Sequence, residues 1–340
     1  MNDSAADNTT YRKLGQHGPA IYPIGIGAMS FAPFYGEVEE TDCHAVLDAA
    51  MELGVNHIDT ANIYGMGQSE RFIGTFLKSR GHEARDFFHL ATKAGIARDR
   101  EDGPFINSPE YLREELDRSL QRLGLERVDL FYIHRRDHQI PIEDVAGTMG
   151  ELIDEGKIGG YGFSEIAPTN LMKAHEVCPV AAIQAEYSLL NRGPDLGITQ
   201  ASKRIGAAMV AFSPVGRSLL TDHPHDEAAV ATMPFLRTNP RFLEPQLSAN
   251  HQASEGFRLL AAEMGMPASS LAIAWVLHRG EHIIPIPGTR SVKHFKELMA
   301  AKDICLTESD MLRIDDVLPP GWAHGDRYSE AQWLGVERYW

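Results

Sequence analysis

The chain has 340 residues, 43% of them hydrophobic, enough to bury the core of one large α/β unit or of two smaller domains. Its formal net charge of -15 argues against nucleic acid or an anionic membrane as a partner, because binding phosphate requires a basic face. The polar segment 1–10 lacks the basic flank and apolar run of a secretory signal, and no stretch is long enough to span a bilayer, so a cytoplasmic location is expected. The three cysteines, Cys43, Cys178 and Cys305, are spaced for neither a redox pair nor a zinc site and are expected to be small buried hydrophobes.

In chain order, Arg12–Tyr22 with Gly15, Gly18 and Pro19 predicts a hairpin, placed as a plug over the barrel bottom. Short apolar runs then recur: Ile24–Met29, Asn56–Asp59, Phe88–Lys93, Val128–His134, Gly159–Ser164, Ala181–Glu186, Ala207–Phe212 and Ile283–Ile286. Helical patterns separate them. Glu40–Leu53 stops at Gly54, Ser108–Leu123 opens with Ser-Pro-Glu and stops at Gly124, and Ile142–Asp154 ends at Gly156. Alternating strands and helices, with about eight strands, predict a parallel (β/α)8 TIM barrel. The proline-bearing stretch from Leu220 to about His251 reads as an insertion, and the aromatic tail 321–340 packs over the barrel, all within one domain spanning 1–340.

The ends of parallel barrel strands converge on one face, so polar residues that terminate apolar strands can meet there. Asp59, Lys93 and His134 each end such a strand, and Tyr64 sits in the loop just beyond Asp59. A tyrosine with an ordinary pKa of about 10 is a poor acid at neutral pH unless a cation stabilises its phenolate. Lys93 can supply that cation, Asp59 can hold Lys93, and His134 can aim a substrate oxygen at the Tyr64 hydroxyl. The set suits protonation of a carbonyl oxygen as hydride reaches its carbon, and it requires no metal. His223-Pro224-His225 lies in the polar insertion and reads as a solvated loop.

The motifs Asp59-Thr60-Ala61 with Tyr64-Gly65, Ala91-Thr92-Lys93 and Tyr132-Ile133-His134 resemble those of the aldo-keto reductases over nearly the whole chain. The resemblance implies NADPH or NADP+ bound without a Rossmann domain, with Asp59, Tyr64, Lys93 and His134 as the catalytic tetrad. Ser164, Glu165 and Gln184 fall where the family grips the nicotinamide carboxamide. Phe212 falls where an aromatic ring stacks on the nicotinamide, and Ser213, Pro214, Val215 and Arg217 where the loop lines the pyrophosphate. Pro287, Gly288, Thr289, Arg290, His294 and Glu297 fall where the 2'-phosphate and adenine are held. Glu165 stands where many members carry Asn. An ionised Glu165 beside the ring would favour the oxidised cofactor and ease alcohol oxidation.

Phe31, Phe34 and Tyr35 are expected at the mouth of an aromatic pocket for a small carbonyl or alcohol substrate; the resemblance implies that Trp322 and Tyr328 of the tail wall it, with packing on the barrel exterior as the equal alternative. The resemblance implies a reductase of aldehydes or ketones whose site also runs as an alcohol dehydrogenase. The alternative is a cofactor-sensing subunit that keeps the barrel and serves a protein complex.

Overall fold

In the computed structural model, which describes residues 11–97 and 104–339, a two-stranded hairpin of β1 (Arg12–Lys13) and β2 (Ala20–Ile21) precedes eight parallel strands. These are β3 (Ile26–Gly27), β4 (His57–Asp59), β5 (His89–Ala94), β6 (Leu130–Ile133), β7 (Tyr161–Ser164), β8 (Ala182–Glu186), β9 (Ala208–Phe212) and β10 (Ile283–Ile286). Each pairs with the next in chain order. The Gly25 and Gly27 amides donate to the carbonyls of Pro285 and Pro287 at 2.9 and 3.0 Å, which joins the first strand to the last. A Cβ on Gly27 would lie 2.5 Å from the Ile286 carbonyl oxygen, so this closure requires glycine.

Side chains alternate along the strands, as the pleat demands. In β6, Phe131 and Ile133 pack with the outer helices, while Leu130 and Tyr132 join Ala182, Ala208 and Ile284 in the barrel interior. Leu14 and Ile21 of the hairpin belong to that interior cluster, and Gly15 abuts Ala181 at the start of β8. The hairpin thus plugs the end opposite the strand C-termini. Local signals set the helices: Ser108 Oγ accepts from the Tyr111 amide to start Pro109–Leu123, and Gly54 and Gly124 end their helices at φ 78° and 69°.

Most strands are shorter than the apolar runs that announced them, though β10 matches its run and β5 keeps its length, shifted by one residue. Residues past β3 leave the ladder and turn as Ala28–Phe31, carrying the chain toward the mouth. The insertion is more ordered than its prolines suggested. It holds Glu227–Ala231, a turn at Pro240–Phe242 and Gln246–Ala253, with Pro240 in a first turn, where its missing N–H costs nothing. The cysteines divide: Cys43 is buried, its thiol pushed up to about 12 by burial, whereas Cys178 is half-buried and Cys305 is exposed on the segment after Ala300–Asp303. Among the described residues no single helix is long and apolar enough to cross a membrane. Residues 1–10 and Trp340 lie outside the described residues.

Candidate active site

Asp59 ends β4, Lys93 is the penultimate residue of β5, and His134 follows β6, so the three meet at the C-terminal rim. Lys93 is 0% exposed. Its Nζ donates to the Asp59 carboxylate, to the Thr60 carbonyl at 2.7 Å and to the Tyr64 hydroxyl at 3.4 Å. The other Asp59 oxygen accepts from Gln184 Nε2 at 2.8 Å. The Tyr64 and His134 rings stand edge to face, centroids 5.8 Å apart.

The electrostatics differ from the sequence expectation in one respect. Burial pushes the Tyr64 hydroxyl above its ordinary value, Lys93 pulls it down, and Asp59 raises it again; the net direction is up. A dry site opposes phenolate more strongly than one cation paired to a carboxylate can favour it. Tyr64 therefore rests as a neutral phenol. Lys93 is held above its ordinary value: burial opposes its charge, but Asp59 and Tyr64 together outweigh that.

Asp59, Tyr64 and His134 line a cleft of about 820 Å³, with Lys93 sealed behind them. Ser164 and Gln184 form the adjoining wall, followed by Phe212, Ser213, Pro214, Val215 and Arg217. The far end is made by Pro287, Gly288, Thr289 and Arg290, and by His294 and Glu297 on the helix Val292–Met299. Ser213, Arg217 and Ser218 hold left-handed φ angles of 52°, 55° and 89°, a concentration of backbone strain in the loop that lines the cleft. Arg290 donates to the carbonyls of Tyr35, Gly36 and Glu37. His223 and His225 also face the cleft, so this part of the insertion is wall as well as solvated loop.

Phe34, Tyr35 and Tyr328 line the cleft as expected of pocket residues, but Phe31 and Trp322 do not. Phe31 is 0% exposed in the core, because the turn Ala28–Phe31 rotates it inward. Trp322 packs against the core with its indole N–H donating to the Leu189 carbonyl at 2.8 Å. Glu165 is also displaced from its expected role. Its carboxylate turns away from the cleft and accepts two bonds from Arg327, at 2.5 and 2.9 Å, and one from the Glu186 amide at 2.9 Å. Burial pushes the Glu165 carboxyl up, but Arg327, with smaller help from Arg135 and the Glu186 amide, outweighs it, and the net direction is below its ordinary value. The carboxylate is ionised but neutralised, so no bare charge faces the site.

That pair belongs to a buried ionic group which local sequence did not reveal. Glu186, the last residue of β8, binds Arg217 of the strained loop at 3.0 Å and Arg241 of the insertion at 3.2 Å. Arg327 brings the tail into the same group, and Glu337 fixes the tail again through Arg136 and the Ala167 amide. Arg135 lines the cleft beside His134; the sequence reading passed over it, although its place directly after a strand-end residue could have pointed to it.

The sequence model of the Aldo/keto reductase family matches residues 23–319. The chain belongs to this family. A probable aldo-keto reductase 1 from Glycine max is 35% identical over 318 residues, covering 93% of this chain and 91% of its own. Among solved structures, a glycerol dehydrogenase from Gluconobacter oxydans superposes with a TM-score of 0.78 at 26% identity, covering 95% of this chain and 98% of that one. An aldo-keto reductase from Bacillus halodurans in its holo form gives 0.75 at 25%, covering 95% and 99%. This aldo/keto reductase is therefore an oxidoreductase of carbonyl or alcohol groups on a (β/α)8 barrel.

Proposed function

We propose that this aldo/keto reductase is an NADP(H)-dependent enzyme interconverting small aldehydes or ketones and their alcohols, with Tyr64 as general acid and base. The observation that carries the reading is a fully buried lysine, ion-paired to Asp59 and 3.4 Å from a tyrosine hydroxyl, at the wall of a cleft of about 820 Å³. Burying an ammonium and a carboxylate together stabilises a fold weakly, if at all, so this pair makes sense as a device acting on Tyr64.

The donors along the cleft fit a nicotinamide dinucleotide. Ser164 offers a hydroxyl near the tetrad, Phe212 a ring face, and Arg290, beside the His294 imidazole, a cation for a 2'-phosphate, which favours NADPH over NADH. Bound there, the cofactor would supply the hydride. The protein's share is proton management. Tyr64 donates its proton to the carbonyl oxygen, and Lys93 stabilises the phenolate left behind. Asp59 keeps Lys93 charged and aimed, and His134 binds the carbonyl oxygen. In reverse the same phenolate takes the alcohol proton, a direction supported by the likeness to a glycerol dehydrogenase.

The test is Tyr64→Phe. Losing a positioned general acid lowers carbonyl reduction by about 10²- to 10⁴-fold, while NADPH binding, followed by quenching of protein fluorescence, is retained. Turnover untouched on every carbonyl tried refutes the assignment.

A further inference from the structure

Four guanidiniums, of Arg135, Arg217, Arg241 and Arg327, gather at the Tyr64 half of the cleft around two carboxylates, Glu165 and Glu186. Arg327 holds Glu165 through two bonds, and Arg217 and Arg241 share Glu186. The crowding registers at Arg241, which burial first and then Arg217 and Arg327 hold below the ordinary guanidinium value, against the opposing pull of Glu186.

Arg135 is the cation left over. One of its terminal nitrogens donates to the His134 carbonyl at 2.6 Å and to Ser164 Oγ at 2.9 Å, and the other donates to the Tyr328 hydroxyl at 3.3 Å. All three acceptors are neutral. Among the described residues no carboxylate lies within ion-pair distance of it, although the chain as a whole carries a net charge of -15. Its field reaches the reacting group, where it acts with Lys93 to lower the Tyr64 hydroxyl against burial.

Two other duties are already filled. The tail is anchored by Arg327 on Glu165 and by Glu337 on Arg136 and the Ala167 amide, so Arg135 is not needed to fasten it. By the family resemblance the cofactor phosphates fall along the loop of Arg217, whose guanidinium is held by Glu186, and at the far end beside Arg290 and His294, not at Arg135. Arg135 instead follows His134, whose ring is 5.8 Å from that of Tyr64, and it shares the cleft wall with Phe34, Phe105, Phe235 and Tyr328.

We propose that Arg135 is a substrate-recognition residue, and that this aldo/keto reductase takes aldehydes or ketones carrying a carboxylate, which replaces the long Tyr328 contact on the guanidinium. A planar guanidinium matches a carboxylate through two parallel charge-assisted bonds, roughly twice as strong as neutral ones. The aromatic walls accept a ring or short apolar spacer between carbonyl and carboxylate. The inference rests on the hydride-transfer reading above.

The experiment compares 3- and 4-carboxybenzaldehyde with methyl 4-formylbenzoate, a neutral counterpart, in NADPH-dependent reduction. The wild-type enzyme is expected to favour at least one acid by about tenfold or more in kcat/KM, mostly through KM. Arg135→Gln brings the ratio near one, and Arg135→Lys restores part of it. Equal use of acid and ester by the wild type overturns the proposal. So does an Arg135→Gln enzyme in which both substrates slow together and NADPH binds less well, because Arg135 would then serve Ser164 and the cofactor.

A binding measurement separates the two readings. Calorimetry with 4-(hydroxymethyl)benzoate in the presence of NADP+ is expected to show about a tenfold weaker dissociation constant in Arg135→Gln. An unchanged constant overturns the role of Arg135. If the acid binds in this Arg135-dependent way but no carbonyl is reduced, it is the hydride-transfer reading that fails.

Discussion

Replacing Lys93 by Met tests the electrostatic centre of the site. The substitution removes a buried ammonium that binds the Asp59 carboxylate, the Thr60 carbonyl and the Tyr64 hydroxyl. Asp59 is left buried, with the Gln184 amide at 2.8 Å as its remaining side-chain donor. Stranding one member of a buried ion pair costs about 3–5 kcal/mol. With a urea dependence of about 3 kcal/mol per molar, the upper range for small proteins, the midpoint falls by about 1–1.7 M. Removing both charges in Asp59→Asn/Lys93→Met leaves no stranded carboxylate, so most of that loss returns, to within about 1 kcal/mol of wild type. Activity does not return, since Tyr64 still lacks its cation. Urea unfolding followed by far-UV circular dichroism reads the stabilities, and NADPH consumption reads the activity. A single variant as stable as wild type, or a double variant no more stable than the single, refutes the argument.

Three further outcomes are expected from the geometry. Because the Tyr64 hydroxyl lies above its ordinary value of 10.0, it stays protonated below that pH. Reduction, which needs the acid form, therefore holds level through neutral and mildly alkaline pH, while oxidation climbs with pH as phenolate appears; a reductive kcat/KM declining near neutral pH contradicts this. Arg290→Met removes the cation proposed for the 2'-phosphate and weakens NADPH by about tenfold or more; NADH, titrated in the same fluorescence assay, changes little, and equal losses contradict the assignment. Iodoacetamide labels the exposed Cys305 first and the buried Cys43 last, its thiol being pushed up to about 12, as peptide mass mapping of a time course reads out.

Much of the site was legible because it is written in local pattern. Asp59 and His134 appear as polar residues closing apolar runs, and a parallel barrel brings such ends together whatever their distance in sequence. The residues from Phe212 to Arg217 and from Pro287 to Arg290 follow strand ends in the same way, and they line the cleft. Phe31 shows where that logic stops, since three residues of turn decide whether a ring faces the core or the mouth, and Phe34, not Phe31, faces outward.

The sequence by itself determined the barrel, its plug and the convergence of Asp59, Tyr64, Lys93 and His134, because periodicity and strand-end position are short-range properties. Only the tertiary structure decided the charge at the site. Glu165 reads from sequence as a bare carboxylate beside the cofactor, yet it is neutralised by Arg327, 162 residues away on a tail with no repeating pattern. The excess cation passes to Arg135, which the sequence shows merely as the neighbour of His134. Such pairings depend on where loops and tail come to rest, and no local spacing encodes that.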